Sequence, residues 1–536
     1  MENQSFDYIV TGAGSAGCAV AGRLSENGKH SVLLLEAGPQ DTNFWIHVPL
    51  GFTKVFTDER VNWCFDSEPV PELNNRSLYQ PRGKVLGGTS SINGMVYMRG
   101  TPSDYDNWRQ RGCTGWDWDS VLPFFKKAQD QTRGPDALHG VGGPLTVSDI
   151  PKPWMLPTRI IEAATQAGIP RNDDFNGMTQ EGTGFYQFTA KDSRRWSSAR
   201  AYLKDAKKRH NLHIVTSAHA TRILLEDRVA VGVEYQTPEG PRVAYARAEV
   251  VVCGGAFGSP HLLQLSGIGP SDVLREVGID VVHDAHEVGE NLHDHFNTYL
   301  SYRCNQPITL NDLAKSRAKQ WLAGAQYVLT RTGLLSNTGV YAGAFVRSDP
   351  RFEQPDLQIN MLAWSSAERR RTGVVPHPFS AFSLSPVHLR PEGRGHVRVK
   401  SPDPHTAPSI QFKFLTNDYD RDAIVYGMRL CREIARQPAL NDLIVEEVLP
   451  GAATQSDEEL LEDVRERAVA NYHPVGTCRM GADPNAVVDP RLRVQGVGKL
   501  RVADASIMPQ IIAGNTNAPS IMIGEKAASM VLEDNR

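Results

Sequence analysis

The sequence lacks the features that define several large classes of protein. Its seven cysteines are scattered and never in a CxxC spacing, which argues against a disulfide framework and against a zinc or iron–sulfur site. No apolar run approaches the ~18 residues that a membrane-spanning helix needs. The net charge of −4 gives no reason to expect a nucleic-acid partner, and the chain has no repeats or low-complexity linker. We therefore expect an enzyme of a reducing compartment that holds no metal.

The length of 536 residues exceeds what one ordinary hydrophobic core supports, so two domains are expected. The first strand-like run begins within ten residues of Met1, which leaves no room for a signal peptide. Together with the cysteine usage, this predicts a cytoplasmic protein.

A nucleotide-binding fingerprint follows the strand-like run Phe6–Thr11. In the segment GAGSAG, Gly12 permits a tight turn, Gly14 lets the backbone approach a pyrophosphate, and Gly17 lets the next helix pack closely on the sheet. The N-terminus of that helix faces the phosphates with its partial positive charge. We therefore expect a dinucleotide at the start of this helix.

An acidic residue ends the second predicted strand. The apolar run Ser31–Leu35 leads to Glu36, 22 residues after Gly14, where a carboxylate accepts hydrogen bonds from a ribose diol. A carboxylate at this place argues against NADP. It does not separate NAD from FAD.

A second glycine-rich stretch lies at Arg82–Gly100, RGKVLGGTSSINGMVYMRG. It holds five glycines and the hydroxyl residues Thr89, Ser90 and Ser91, a composition too flexible for a helix interior and too small-sided for a core strand. Such a loop presents backbone N–H groups and hydroxyls to a flat or phosphate-bearing ligand. Two glycine-rich elements about seventy residues apart indicate a large, extended cofactor.

The remaining pattern predicts a parallel sheet with a β-meander, followed by a second unit. Short strands at Leu212–Thr216 and within Arg222–Val243, then the apolar strand Ala248–Cys253, suit an FAD domain better than a plain NAD domain. The middle of the chain mixes long amphipathic helices, Asp312–Thr330 and Tyr419–Gln437, with further strands. We interpret that middle region as an antiparallel sheet with helices.

We predict an α/β protein, α+β overall, with a discontinuous Rossmann-like FAD-binding domain. That domain takes residues 1–298 and 468–536, because the C-terminal segment again predicts an apolar strand and a helix. Residues 299–467 form the substrate-binding domain, in which one helix begins at Ser456 with capping-box spacing to Glu459.

Five motifs together resemble the glucose–methanol–choline (GMC) oxidoreductase family, over essentially the whole chain. They are GAGSAG with Glu36; RGKVLGGTSSINGMVYMRG; GSPHLLQLSGIGP at Gly258–Pro270; NYHPVGTCRMG at Asn471–Gly481; and LRVADASIMP with GNTNAPSIMIGEKAA inside Leu500–Ala528. The resemblance is to the bacterial choline dehydrogenase and alcohol dehydrogenase branch. It implies FAD as the cofactor and oxidation of an alcohol by hydride transfer to flavin N5.

The resemblance implies two catalytic residues. His473 matches the base of the family, and an imidazole with an ordinary pKa of about 6.5 can accept an alcohol proton near neutral pH. The second family position, His or Asn, falls on Asn515, with Asn517 as the rival if the alignment shifts. An amide there can hydrogen-bond the substrate oxygen without competing for its proton. The last helix begins close behind, and its positive end is implied to face the N1 and C2 carbonyl region of the flavin.

The resemblance also implies a set of residues around the FAD. These are Gly12, Gly14, Ser15, Ala16, Gly17, Glu36, Ala37, Gly87, Gly88, Ser91, Asn93, Gly94, Ala220, Asp504, Ala505 and Asn515. Family members with covalent FAD carry a histidine where this chain has Ile92, so a non-covalent flavin is expected. Arg82 and Lys84 are left open between solvent-facing residues and partners of acids near the cofactor.

The substrate side differs from that of choline-oxidising relatives, which hold the quaternary ammonium with a carboxylate and aromatic rings. The segment aligned with that carboxylate offers Tyr341, and no Glu lies between Asn311 and Arg351. An uncharged primary alcohol is therefore expected in preference to choline. The candidate pocket residues are Trp63, Tyr97, Tyr341, Trp364 and Tyr472.

The electron acceptor is open at this point. The branch that the chain resembles consists mostly of dehydrogenases, and a quinone or another carrier as acceptor would explain peripheral association with the inner membrane. The alternatives are an oxidase that uses O2, a choline dehydrogenase, and a hydroxynitrile lyase, which keeps FAD without net redox chemistry. The intact pair His473 and Asn515 argues against a flavin-binding protein that is not an enzyme.

Overall fold

The computed structural model describes residues 4–150, 154–370 and 373–535. Two large sheets organise this part of the chain, one mainly parallel and one antiparallel. This mixed α/β architecture confirms the predicted fold class. No helix of the described residues combines the length and the apolar character that crossing a membrane requires.

The first sheet has seven strands, and its parallel part is built around buried apolar runs. Its strands, in spatial order, are Leu212–Thr216, Val32–Glu36, Gln4–Thr11, Gly240–Val252, Val229–Thr237 and His219–Glu226, with Leu500–Val502 beside Gly240–Val252. The first four strands run parallel, as continuous apolar strands buried on both faces do, and the meander is antiparallel. The predicted parallel sheet with a meander is thus confirmed.

One strand of this sheet is longer than predicted. The apolar run at Ala248–Cys253 is the end of the 13-residue strand Gly240–Val252, and no turn separates it from the meander. The first half of that strand pairs antiparallel with Val229–Thr237, and its second half pairs parallel with Leu500–Val502. The strand therefore connects the meander to the C-terminal part of the chain.

Helices cover the first sheet and define its cofactor edge. The helix Ser15–Leu24 follows the first strand directly, and the last helix, Asn517–Asp534, packs against it. A third helix, Trp118–Ala128, packs on the last helix with the bounds that the sequence predicts. Because two of these helices begin at the same edge of the sheet, their positive ends come together there.

The second sheet has eight strands and is antiparallel throughout. Its strands are Ile444–Leu449, Leu300–Cys304, Ala381–His388, Leu357–Leu362, Val340–Val346 and Gly182–Phe185 in spatial order, with Phe296–Asn297 beside Ala381–His388 and Val469–Ala470 beside Phe296–Asn297. All eight residues of its central strand, Ala381–His388, are buried. The helices Met155–Gln166 and Asp418–Ala435 pack against this sheet and close its core.

Two details of the second unit differ from the expectation. The helix predicted at Asp312–Thr330 is two helices, Leu310–Ala314 and Arg317–Thr330, because the side chain of Ser316 caps the second one by accepting from Lys319 N–H. Three strands of the second sheet come from segments assigned by sequence to the first domain, namely Gly182–Phe185, Phe296–Asn297 and Val469–Ala470. The division of the chain into two domains at residues 298 and 467 stays a prediction.

The helix after Ser456 has the predicted capping box, in which Ser456 and Glu459 bond each other's backbone N–H groups, and it spans Asp457–Arg467.

Shorter elements complete the fold. They are Phe44–His47, Pro49–Gly51, Phe52–Val55, Phe65–Asp66, Pro71–Leu73, Tyr79–Gln80, Gly88–Ser91, Pro102–Gln110, Gln129–Gln131, Leu145–Val147, Ala190–Lys191, Arg194–Arg195, Ala199–Leu203, Ala206–Lys208, Gly255–Leu265, Ile268–Gly269, Ser271–Glu276, His283–Asp284, Leu334–Ser336, Ser366–Arg370, Gly373–Pro376, His396–Arg398, Ser409–Gln411, Pro438–Asn441 and Ala505–Ile507.

Candidate active site

A large cavity of about 1350 Å³ is lined by residues of both sheets. The first sheet contributes its fingerprint loop, with Gly12 and Gly14, and the acidic end of its second strand, Glu36. The second sheet contributes Asn360 and Leu362 from one of its central strands. The volume exceeds that of an ordinary small-molecule pocket, about 300–1,000 Å³, so the cavity can hold an extended ligand together with a second molecule.

The fingerprint loop has the geometry that close approach to a phosphate demands. Gly12 has φ +94°, and a Cβ there would lie 2.5 Å from the carbonyl oxygen of Cys253. A Cβ on Gly17 would lie 1.9 Å from the Gly12 carbonyl oxygen, so the helix sits directly on the turn. Gly17 thus serves helix packing and does not line the cavity, whereas Gly14, Ser15 and Ala16 do.

Glu36 closes this end of the cavity. Its carboxylate accepts hydrogen bonds from the N–H groups of Ala13 (2.9 Å) and Gly38 (2.8 Å), which fixes both oxygens at the end of the strand. Burial raises the pKa of Glu36 to about 7. The remaining lone pairs of the carboxylate are available to a hydroxyl donor, as the ribose interpretation requires.

Two helix N-termini meet at the cavity. Ser15 begins one helix and Asn517 the other, and the Ser15 hydroxyl donates to Asn517 Oδ1 at 2.7 Å. Both residues line the cavity. Their N-terminal N–H groups and partial positive charges suit a ligand that carries negative charge. The glycine loop, the ribose-type carboxylate and the two helix ends therefore fit FAD.

Several other residues expected around FAD line the same cavity. They are Ala37, Gly88, Asn93, Gly94, Ala220, Asp504, Ala505 and Asn515, together with Ile92. Besides Gly17, two expected residues do not line it, namely Gly87 and Ser91. The Gly87 N–H donates to the Ala13 carbonyl (2.8 Å) and the Ser91 hydroxyl donates to the Leu86 carbonyl (2.8 Å). These two residues brace the loop against the fingerprint turn, which corrects the expectation of direct contact with the cofactor.

A short ladder between separate segments positions His473. The backbone groups of His293 and Val475 exchange two hydrogen bonds, N–H to carbonyl in each direction, at 3.3 and 3.0 Å. The backbone N–H of His473 donates to Asp294 Oδ1 at 2.7 Å. The preceding residue, Tyr472, has φ +65°, and its carbonyl accepts from Arg82 Nη2 at 2.7 Å. These contacts fix the backbone on both sides of His473.

The side chain of His473 contacts an amide on one nitrogen and a second imidazole on the other. Its Nε2 lies 3.0 Å from Asn515 Nδ2, and its Nδ1 lies 3.1 Å from His295 Nδ1. With the Asn515 amide donating, Nε2 carries no proton and Nδ1 donates to His295. Asn517 is not beside His473, because its side chain contacts Ser15 instead. The geometry therefore favours Asn515 over its rival.

Burial sets the charge of this cluster. Burial and the nearby Arg82 guanidinium lower the pKa of His473 to about 3. Burial, with the neighbouring His473, also holds the pKa of His295 well below its usual range. Burial raises the pKa of Asp294 to about 8, and the Arg82 charge offsets part of that effect. Both imidazoles are consequently neutral at physiological pH, and the unprotonated Nε2 of His473 can accept a proton.

Three of the five expected pocket aromatics line the cavity, namely Trp63, Trp364 and Tyr472. Tyr97 and Tyr341 do not. Tyr97 is 2% exposed, and its hydroxyl accepts from Arg99 Nε (3.1 Å) inside the core. Tyr341 is 1% exposed and packs edge-on against Trp154. Both are core residues, which corrects the expectation for them.

Asp294 and His295 are not among the site residues predicted from the sequence, where the role of Arg82 is also open. The first two belong to the segment NLHDH, in which His293 and His295 alternate just before a short strand. The alternation predicts that the side chains of His293 and His295 lie on the same face of an extended segment. The local sequence does not indicate which residue they contact across that face. Lys84, also left open, lies with Nζ 4.5 Å above the ring of Trp63.

Known proteins share both the sequence and the fold. Two models of the GMC oxidoreductase family match the chain, over residues 6–297 and 391–524. The alcohol dehydrogenase (acceptor) of Pseudomonas putida is 44% identical over 531 residues, which are 98% of this chain and 96% of that protein. The oxygen-dependent choline dehydrogenase of Vibrio vulnificus is 42% identical over 533 residues, 99% of this chain and 94% of that protein.

Two solved structures extend the similarity to the fold. Pyridoxine 4-oxidase from Mesorbium loti is 31% identical, with a TM-score of 0.89 and 98% of both chains covered. A formate oxidase variant from Aspergillus oryzae is 27% identical, with a TM-score of 0.93, 100% of this chain and 99% of that chain covered.

Proposed function

The chain belongs to the GMC oxidoreductase family, and from that membership we propose that it is a dehydrogenase of uncharged primary alcohols with His473 as its base. It is an FAD-dependent oxidoreductase that acts on alcohols. The observation that carries the proposal is the continuity of one cavity from Gly14 and Glu36 to the paired side chains of His473 and Asn515. A cofactor held at one end can therefore meet a substrate held at the other.

The role of each side chain in the reaction follows from its chemistry. Bound FAD supplies the hydride acceptor. His473 takes the hydroxyl proton on Nε2, which strengthens the electron push from the alcohol oxygen to its carbon. Asn515 donates its amide N–H to that oxygen and, having no titratable proton, does not compete for it. His295 holds the imidazole of His473 in one orientation through the 3.1 Å contact between their Nδ1 atoms.

An uncharged substrate is supported by the charges along the cavity. The carboxylates that line it are Glu36, Asp66, Glu68 and Asp504. Glu36 and Asp504 belong to the residues expected around the cofactor, and Glu68 is paired with Lys400 at 3.2 Å. Among the described residues, the segments between 297 and 385 contribute only apolar, amide and hydroxyl side chains to the lining. A quaternary ammonium would lose its hydration there without gaining a partner charge.

The finer features of the flavin and its acceptor are also proposals. The apolar side chain of Ile92 lines the cavity and offers no nucleophile, which supports a non-covalent flavin. A carrier such as a quinone is proposed as electron acceptor, in line with the name of the Pseudomonas putida relative. A location at the membrane surface in the cytoplasm would follow from a lipid-soluble carrier. An oxidase is the second candidate, because two structural neighbours are oxidases.

The first test is anaerobic reduction of the bound flavin by choline and by its neutral isostere 3,3-dimethylbutan-1-ol. The two alcohols have the same shape and differ in one charge. We expect the neutral alcohol to bleach the flavin at least about tenfold more efficiently, because choline must bury an unpaired cation. The measurement is the second-order rate constant of flavin bleaching in a stopped-flow spectrophotometer.

The same sample distinguishes the alternatives. Slow recolouring in air with fast recolouring by a short-chain quinone is expected for a dehydrogenase, whereas fast recolouring in air would identify an oxidase. Faster bleaching by choline than by its isostere would contradict the uncharged substrate. If no alcohol bleaches the flavin while a cyanohydrin is cleaved, the enzyme is a lyase and the redox proposal is wrong.

The pH dependence of bleaching should reflect the low pKa of His473. With a pKa of about 3, His473 stays neutral and able to accept a proton down to about pH 5. We therefore expect the bleaching rate constant to change less than about twofold between pH 8 and pH 5, whereas a base of ordinary pKa would lose more than about tenfold. The measurement is the rate constant at saturating alcohol as a function of pH.

Stability must be followed in the same series. The folded-state pKa of His473 lies below that of the unfolded chain, so the stability it contributes is present above about pH 6.5 and is lost as the pH falls. Rates are therefore normalised to the flavin that remains bound. A decline below pH 6.5 in fully folded protein would contradict a depressed pKa for the base.

A further inference from the structure

One helix of the second unit, Arg317–Thr330, turns its apolar face to solvent, whereas a helix that packs on a core buries that face. In Arg317–Thr330, the row of Gln320, Gly324 and Tyr327 lies on the side of the protein. The first two line the cavity, although Gln320 is also exposed to solvent. Tyr327 is 1% exposed, and its hydroxyl donates to the Ser193 carbonyl at 3.0 Å. The inward row is therefore polar or small for most of its length. Tyr327 is the one buried residue of this helix.

The opposite row of the same helix is apolar and faces outward. Its residues have the spacing of a continuous helical stripe, i, i+3, i+4, i+7 and onward. We name them the outward stripe: Ala318, Trp321, Leu322, Ala325, Val328 and Leu329. Trp321 and Leu329 are each 81% exposed and Leu322 is 71% exposed. A stripe of this width normally packs on a partner, because an isolated helix of 14 residues is marginal in water.

Further exposed apolar residues lie in two other segments that contribute to the cavity lining. Phe44 and Trp45 belong to the first segment, and Val374 and Val375 to the hairpin strand Gly373–Pro376. Trp45 and Val374 line the cavity, as do Gln320 and Gly324 of the helix. Eight of the thirteen large apolar side chains that are markedly exposed in the described part of the chain lie in the helix and these two segments. Most of the exposed apolar surface therefore lies in segments that also contribute to the wall of the active-site cavity.

The segment that carries the outward stripe is basic, whereas the chain as a whole has a negative net charge. Residues 310–335 carry four basic side chains, Lys315, Arg317, Lys319 and Arg331, and one acidic side chain, although the chain has a net charge of −4. Two of the basic residues, Arg317 and Lys319, stand in the first turn of the helix, where the positive end of the helix dipole disfavours them. Their placement is therefore slightly unfavourable for the helix alone, and an external negative charge would offset that cost.

We propose that the outward stripe and its basic flanks dock the enzyme on an anionic lipid bilayer, with the cavity entrance at the membrane surface. Apolar side chains on one face and lysines or arginines beside them are the two components of interfacial helix binding. A second copy of this chain fits less well, because a two-fold contact would bring the same basic residues against each other. The orientation opens the cavity towards lipid-soluble molecules, a consequence that rests on the proposed quinone-linked dehydrogenase.

The test is flotation of the FAD-loaded full chain with vesicles of phosphatidylcholine, with or without phosphatidylglycerol. We expect binding to the mixed vesicles that weakens with salt. Trp321→Ser/Leu329→Ser should lower the partition coefficient about tenfold or more, and Arg317→Gln/Lys319→Gln should lower it by a similar factor on mixed vesicles. The matched control is Met178→Ser/Val445→Ser, since these side chains are 88% and 56% exposed outside this surface.

The outcomes separate this proposal from the proposed function. Reduction of a water-soluble dye by alcohol, without vesicles, should be equal in the wild type and in Trp321→Ser/Leu329→Ser, because neither side chain lines the cavity. Absence of dye reduction in the wild type would overturn the proposed function and leave the flotation result standing. No flotation of an active wild type, or equal loss in the control, would overturn the docking proposal. The docking proposal would also be overturned if sedimentation showed a dimer that only Trp321→Ser/Leu329→Ser dissociates, because the outward stripe would then be a dimer contact.

Discussion

Replacing His473 by alanine should leave FAD bound and lower the rate of flavin reduction by alcohol at least ~100-fold. The imidazole is the neutral base of the cluster, with Nε2 held 3.0 Å from Asn515 and its pKa lowered to about 3 by burial and by Arg82. Without it, the substrate hydroxyl loses the base that lies beside Asn515. FAD should stay bound because its predicted anchors, the fingerprint loop and Glu36, are separate residues.

The pH dependence of this variant adds a signature that misfolding would not give. In His473→Ala the bleaching rate constant should rise with pH, because alkoxide formed in solution has to replace the missing base. The wild-type rate constant is expected to stay flat over the same range. The matched control is His405→Ala, which lines the same cavity beside His219 and not beside His473. Near-normal bleaching in His473→Ala, or equal loss in the control, would show that another group is the base.

Much of the fold could be predicted because local signals and tertiary structure agree there. The strand Leu212–Thr216 and the helix Trp118–Ala128 have the predicted bounds, and Ser456 caps its helix as its spacing to Glu459 indicates. The predicted helix Asp312–Thr330 was wrong as a single element, because its hydrophobic periodicity continues across the point where one helix ends and the next begins. The break before Arg317–Thr330 depends on one hydrogen bond from a backbone N–H to a serine side chain, which periodicity does not register.

The candidate site shows a similar limit. Tyr341 was expected in the pocket, but the adjacent residue Val340 is the one that lines the cavity. Successive side chains of a strand point to opposite faces, so the identity of the pocket residue depends on a register that the sequence alone does not fix. His295 could not be assigned a partner for a related reason. Its contact with His473 arises from pairing between segments that are 178 residues apart.

The second large effect is expected from Gly14→Ala. A Cβ at Gly14 has no atom of the protein within 4 Å, and the backbone angles there, φ −77° and ψ −161°, are open to alanine. The fold should therefore tolerate the change. The methyl group would occupy the space into which the pyrophosphate is predicted to fit, beside the first turn of the helix Ser15–Leu24. Overpacking of about 1–3 kcal/mol corresponds to a Kd for FAD roughly 5- to 150-fold higher.

The measurement is a titration of FAD into the apoprotein, followed by flavin fluorescence. The matched control is Gly324→Ala, since a Cβ there also meets no atom within 4 Å and this glycine lines the cavity on the side of the second sheet. Its Kd for FAD should equal that of the wild type, and unchanged melting of the Gly14→Ala apoprotein would show that the fold is intact. Equal Kd values for Gly14→Ala and the wild type would mean that the cofactor phosphates lie elsewhere. A higher Kd in Gly14→Ala alone would locate them at the start of the first helix, where the backbone N–H groups and the helix dipole favour an anion.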